Sequence, residues 1–326
     1  SRLEKVNLRS RVSVKVASGE RIDEVVDRIL IQEGVDRLRE GGLVAFPTET
    51  VYGLGADAGQ DSAMERLYRV KRRPGSHPVI LHAGSLESAR RCSTGFSALA
   101  ERLAYRFWPG PLTLVVPRAS WVSDRITGGQ DSVAVRVPAH PLALQLLQTF
   151  GGLVAAPSAN RFGRVSPTTA DHVLAELGSD VDAVLDGGPC LVGVESTILD
   201  VRSQKPVILR PGGVTQEAIE NELAQSGDVL QEGPLRVSGA LPSHYAPSAR
   251  VEVVAMEELD RVAVGHRAAG LRVRVLTAAE VEAHDLYASL RRADEEGVDV
   301  ILAPQPPEKG LGRAVADRLR RAAGPR

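Results

Sequence analysis

The chain has only two cysteines, Cys92 and Cys190, in 326 residues. That excludes a disulfide framework and a zinc site built from cysteines alone. Packing is the role left to them, and a reducing, cytoplasmic setting is the expectation. Aromatic residues make up 4% of the chain, too few for the stacking platforms of a single-strand nucleic-acid binder. Neither sign of charge dominates. The net charge of −1 argues against a polyanion-binding chain, although a local basic groove stays compatible. No apolar run approaches the ~18 residues of a membrane span, so no membrane role is expected. No signal peptide opens the sequence, and Ser1 at its head reads as a processed or engineered start. The G-x-x-x-x-G-K-[ST] phosphate loop, the G-x-S-x-G elbow and the H-E-x-x-H helix are all missing. Residues 53–58 (GLGADA) match the loose dinucleotide fingerprint, but residues 47–52 separate them from the preceding strand and no helix opens on them.

What remains is an ordinary globular balance, 43% apolar and 25% charged, on a chain long enough for two domains. Strand-like and helix-like segments alternate. Residues 22–30 place apolar side chains on one helical face, Gly41-Gly42 end that helix, and residues 43–46 read as a buried strand. Ser62 and Glu65 suggest a capping box at the start of a helix near 62–71. Further helices are expected near 97–107, 141–149 and 215–225. Strands are expected at 78–82, 111–117, 132–138, 153–157, 181–186, 196–201 and 206–210. Residues 226–250 are rich in Gly, Pro and Ser and too long for a plain connector. From Val251 a βαβαβα alternation favours a parallel sheet. The expected organisation is a large α/β domain (1–225), a linker or lid (226–250) and a small α/β domain (251–326).

The most informative segment is FPTETVYGLGADA, residues 46–58, where hydroxyls and glycines follow a buried strand. Such a mixture suits a backbone closing on a polar ligand, or a turn chosen for its geometry. Lys71, Arg72 and Arg73 stand at a helix C-terminus, where cations are favourable on dipole grounds alone. Beside a strand end they also suit phosphate. Arg136 lies within an apolar strand, which requires either a structural salt bridge or a bound carboxylate or phosphate. Arg210 repeats the arrangement. Residues 155–160 end another strand with Ser158 and Asn160, placed for phosphate or for a simple turn.

Together, FPTETVYGLGADA, KRRPGSHPVILH, WPGPLTLV, SVAVRVPAHP, APSANRFGRVSPT, VESTILDV and ILRPGGVT resemble the threonylcarbamoyl-AMP synthase family, the YrdC-like enzymes of tRNA modification. They span about residues 22–220 in the family's order. Residues 243–247 (SHYAP) and 310–323 (GLGRAVADRLRRAA) resemble its longer, two-domain branch. The resemblance implies a twisted, largely open α/β sheet with a concave basic surface, followed by a small Rossmann-like βαβαβα domain. It implies an ATP-dependent nucleotidyltransferase that joins L-threonine, bicarbonate and ATP into threonylcarbamoyl-AMP and pyrophosphate. A tRNA-threonylcarbamoyl transferase would then use the product on adenosine 37, and weak tRNA binding by this chain is compatible with the family surface. Carried over by motif, Thr50, His82, Arg136, Ser196 and the backbone at Ala156 would contact threonine. Lys71, Arg73, His77, Ser132, Ser158, Asn160, Ser166, Arg210 and Tyr245 would line the ATP side, with Lys71, Arg73, Ser158 and Asn160 as the catalytic group. Mg²⁺ would arrive with the nucleotide, without a metal site of the protein's own. A plain RNA-binding module, a related acyl-adenylate enzyme and a nucleotide or amino-acid sensor are the rival readings.

Overall fold

A computed structural model describes residues 22–224, 231–232 and 244–325. Most of the expected lid, including Ser243, therefore lies outside the described residues, as do residues 1–21.

The first unit runs α1 (Ile22–Arg39), β1 (Val44–Phe46), β2 (Gly53–Asp57), α2 (Asp61–Lys71), β3 (Ile80–His82), α3 (Leu86–Arg90), α4 (Ala98–Phe107) and β4 (Leu112–Pro117). It continues with α5 (Asp124–Thr127), β5 (Ser132–Arg136), α6 (Pro141–Phe150), β6 (Val154–Ala155), α7 (Ala170–Leu177) and β7 (Ala183–Val184). β8 (Thr197–Asp200), β9 (Val207–Arg210), α8 (Gln216–Ala224) and β10 (Gln231–Glu232) complete it. Its ten strands form one sheet in the order β10-β9-β8-β4-β5-β3-β6-β2-β1-β7. The sheet is mixed: β3–β5 and β4–β8 are parallel, whereas β4–β5, β2–β6 and β3–β6 are antiparallel.

Two local expectations are corrected. No strand is expected within 47–58, yet residues 53–57 form β2, which pairs antiparallel with β1, Phe46 opposite Gly53 and Val44 opposite Gly55. Gly55 is there for close packing. A Cβ on Gly55 would lie 2.9 Å from the Phe46 ring and 2.8 Å from Val154, which only a side-chain-free residue tolerates. Nor does Ser62 cap α2. The helix begins at Asp61 with Gln60 as N-cap and no side-chain cap, because Ser62 already lies inside the first turn. The capping box falls instead on α3, where Ser85 and Ser88 exchange bonds.

Alternation along the strands decides where a ligand could sit. Leu81, Val133, Val135, Leu114 and Leu199 belong to the main core beneath the helices. Ile80, His82 and Arg136 therefore face the other side, where Ile80 meets Val115 and Ile198 in a small apolar floor. In a purely parallel sheet ligands gather beyond the strand ends. Here neighbours run in opposite directions, and the site lies over a face.

The second unit comprises β11 (Arg250–Val254), α9 (Leu259–Ala268), β12 (Val273–Val275), α10 (Leu286–Glu295), β13 (Val300–Pro304) and α11 (Gly312–Ala322). Its sheet, β11-β13-β12, is wholly parallel, as the alternation required. α9 covers one face through Leu259 and Ala263. On the other face Tyr287, Leu290, Val315 and Leu319 share a core with Val51, Val165 and Val194 of the first unit and with Tyr245. The small unit is thus packed onto the loops that surround the site. No helix among the described residues is long and apolar enough to cross a membrane.

Candidate active site

One cavity gathers eleven of the fourteen residues expected from sequence: Thr50, Lys71, Arg73, His82, Arg136, Ala156, Ser158, Asn160, Ser196, Arg210 and Tyr245. The remaining three do not line it. His77 packs its ring edgewise against Phe162, 5.2 Å away, and Phe162 is the residue that faces the cavity. Ser166 is fully buried and donates to Glu195 Oε1 at 2.6 Å. Ser132 opens β5 opposite Pro117, four residues before Arg136 reaches the site.

At one end of the cavity, Arg136 closes β5 beside His82 of β3. Its guanidinium donates through Nε to Gly110 O at 3.1 Å and through Nη1 to Thr50 Oγ1 at 2.9 Å. Nη2 lies 2.7 Å from Glu49 Oε1, an ionic contact without hydrogen-bond alignment. The two sequence alternatives for Arg136 were a salt bridge or a ligand. The salt bridge is formed, and Nη1 and Nη2 each have a further N–H to offer. Burial alone would raise the Glu49 carboxyl; Arg136 and the Ala139 N–H overcome it and hold the pKa below its ordinary value. Thr48 fixes the loop, its Oγ1 accepting from the Thr50 and Val51 amides. His82 is pushed down to about 3 by burial and by Arg136, so its ring is neutral at physiological pH.

The other end is cationic. α2 ends where Arg72 turns left-handed, φ 52, and this aims Lys71 and Arg73 inward. Lys71 is 1% exposed and its ammonium donates to the carbonyls of Ser158 and Asn160. Burial, then the charges of Arg73 and Arg161, lower its pKa well below the usual lysine value. Arg73 donates to Pro78 O at 2.7 Å and lies 5.3 Å from the Phe162 ring centroid. Arg210 donates to Ser196 O at 2.8 Å. Burial lowers the pKa of both arginines, and Arg210 adds its repulsion at Arg73. Two buried polar atoms on the wall, Asn160 Oδ1 and His244 Nδ1, have no protein partner among the described residues.

Tyr245 closes this end. It holds φ 60, a left-handed conformation costing a non-glycine residue about 1–2 kcal/mol. Neighbours hold it there: His244 edge-on at 4.2 Å, Tyr287 stacked at 5.9 Å, and the Arg318 guanidinium 5.0 Å from its ring.

Sequence reasoning assigned no role to Glu49 or Glu195 and counted Arg318 only among the basic tail residues that could favour RNA, whereas it is fully buried. Glu49 was within reach, since a buried Arg136 requires a counter-charge and Glu49 lies in the most informative segment. Glu195 and Arg318 pair across 123 positions at 2.7 Å, and no local pattern reports such a contact. Burial would raise the Glu195 carboxyl, but Arg318, Arg210 and the Ser166 hydroxyl bring it down to about 2.

Comparison with known proteins agrees with this architecture. Residues 36–212 match the family model described as Telomere recombination, and residues 214–324 match that of the threonylcarbamoyl-AMP synthase C-terminal domain. Threonylcarbamoyl-AMP synthase of Pyrococcus abyssi is 41% identical over 94% of this chain and 96% of its own. The Bacillus subtilis protein of the same name is 38% identical over 91% and 93%. A crystal structure of P. abyssi Sua5 complexed with L-threonine superposes with a TM-score of 0.83, covering 93% of this chain and 96% of that one.

Proposed function

From the premise that the chain belongs to the two-domain threonylcarbamoyl-AMP synthase family, we propose that it makes L-threonylcarbamoyl-AMP from L-threonine, bicarbonate and ATP, as a nucleotidyltransferase. The observation that carries this reading is a single cavity with two dissimilar ends. One offers a guanidinium, a threonine hydroxyl and a neutral imidazole, suited to a small amino acid. The other offers Lys71, Arg73 and Arg210, whose buried charges an anion would relieve.

The threonine carboxylate would take the spare N–H groups of Arg136, and the neutral His82 ring would accept a hydrogen bond without adding charge. The threonine amine displaces water from bicarbonate, leaving a carbamate. A carbamate oxygen then attacks the α-phosphorus of ATP, and pyrophosphate departs with the bonding pair. No protein nucleophile takes part. The protein positions the reactants and offsets phosphate charge with Lys71, Arg73 and Arg210. Asn160 Oδ1 and His244 Nδ1 suit polar groups of the nucleoside.

Mg²⁺ belongs, on this reading, to the nucleotide phosphates. Among the described residues no three metal-ligating side chains converge. The one carboxylate on the wall, Glu195, has both oxygens engaged by Ser166, Tyr287 and Arg318. The donor set thus does not fit a protein-held magnesium. Carbamate and mixed anhydride both hydrolyse readily, so a covering segment at Tyr245 serves to exclude water. The product would pass to a separate transferase acting on tRNA position 37.

The test is pyrophosphate release from ATP, Mg²⁺ and bicarbonate. Release that depends on L-threonine, with a nucleotide product heavier than AMP, is expected. ATP binding without threonine-dependent release would refute the proposal.

A further inference from the structure

Several side chains of the small C-terminal unit pack around the site, and one of them, Arg318, joins three of its segments. Arg318 on α11 is fully buried and touches three segments at once. Its Nε donates to Glu195 Oε2 at 2.7 Å, Nη2 donates to Pro211 O at 3.1 Å, and its guanidinium lies 5.0 Å from the Tyr245 ring centroid. Each contact is a site residue or the immediate neighbour of one: Glu195 precedes Ser196, Pro211 follows Arg210, and Tyr245 covers the cavity.

The contact is built from both sides. Asp317 Oδ2 accepts from Arg318 Nη1 at 2.6 Å, and Asp317 is held in turn by Arg321 at 3.0 Å. Glu195 accepts from Tyr287 of α10 at 2.9 Å and from Ser166 at 2.6 Å. The chain before Glu195 approaches the small unit closely. Gly193, at φ +79, passes so near that a Cβ would stand 2.3 Å from Ala283 O. Arg318 and Arg321 face Glu195 and Asp317, and Arg210 adds a further positive charge near Glu195. Arg318 and Glu195 are both buried, and a buried ion pair is costly to form and more costly to break on one side.

We propose that Arg318 and Glu195 are positioning residues for the nucleotide end of the site. The C-terminal unit is then a working part of that site: it fixes Arg210 and Tyr245 relative to one another through this ion pair. Neither residue touches the reacting atoms in this account, and the threonine end, built from Thr50, His82 and Arg136, does not depend on it. This rests on the proposed synthase reading for its kinetic consequences, but its mechanical consequence does not.

Three variants of the full chain test it: Arg318→Gln, Glu195→Gln and Tyr287→Phe. The last removes only a hydroxyl and is expected to fold whatever happens to the others. For each folded variant the KM for ATP is expected to rise at least fivefold, with threonine affinity by calorimetry within twofold of wild type. Arg318→Lys should recover part of the loss relative to Arg318→Gln. Amide exchange at Ala246, whose N–H is bonded to Gly163 O at 2.9 Å, should accelerate in the same variants with no substrate present. Unchanged ATP KM and unchanged exchange would overturn the proposal. So would equal losses of ATP and threonine binding, the signature of general loosening. A wild-type protein without turnover would sink the synthase reading alone, because the exchange measurement would still report on the ion pair.

Discussion

Replacing Arg136 by alanine tests two things at once, and the structure shows how to separate them. The substitution removes the ion pair to Glu49 and the bonds to Thr50 Oγ1 and Gly110 O. Glu49, 7% exposed, is left as a buried, unpaired carboxylate. Breaking one side of such a pair costs about 3–5 kcal/mol. At about 2–4 °C per kcal/mol for large domains, the melting temperature should fall by roughly 10 °C. Threonine binding should weaken as well, by the ~1.5–3 kcal/mol of a hydrogen bond to a charged group, a factor of about ten to a hundred. ATP affinity should change far less, because Lys71, Arg73 and Arg210 are untouched. The single variant alone cannot separate destabilisation from a lost ligand contact. The double variant Glu49→Leu/Arg136→Met does so, since an apolar pair in place of a buried ion pair is often nearly neutral. Its melting temperature should recover at least half of the loss while threonine affinity stays low. Differential scanning fluorimetry and calorimetry on both proteins are the assays. A double variant that binds threonine as tightly as wild type would show that Arg136 serves only Glu49.

Glu195 has a folded pKa of about 2 against an ordinary 4.5. A lowered carboxylate contributes stability that is complete above the unfolded value and lost as pH falls through the folded one. Acid titration should therefore remove on the order of 3 kcal/mol between about pH 4.5 and pH 2, and Glu195→Gln should flatten the melting-temperature profile over that window. An unchanged profile would remove Glu195 from the account. Tyr245→Ala should lower threonine-dependent pyrophosphate release and raise release of free AMP, by letting water reach the intermediate; a variant with wild-type product yield would deny Tyr245 that role. Threonine exceeds serine by one methyl, worth about 1–3 kcal/mol in a fitted pocket, so serine should be turned over measurably but less efficiently. Equal kcat/KM for the two would rule out a methyl pocket.

Much of the fold was legible because its signals are local. Periodicity placed α4, α6 and α8 within a residue or two, and Pro141 and Gly151 at the ends of α6 act through backbone geometry alone. The βαβαβα alternation gave the parallel small sheet for the same kind of reason. β2 was missed because its glycines read as a turn, and only the Phe46 ring packed against it explains Gly55. Eleven of the fourteen expected site residues line one cavity since they sit in short motifs at strand and helix ends, where a few adjacent positions determine both backbone and chemistry. Tertiary structure alone decided the rest. It decided that the mixed sheet carries its site on a face, that Arg136 meets Glu49, and that Arg318 of the last helix ends beside Glu195, Pro211 and Tyr245. The reason is physical. Helix periods and turn residues act over a few positions, whereas a buried charge takes its partner from whatever packing brings within about 4 Å, at any distance along the chain.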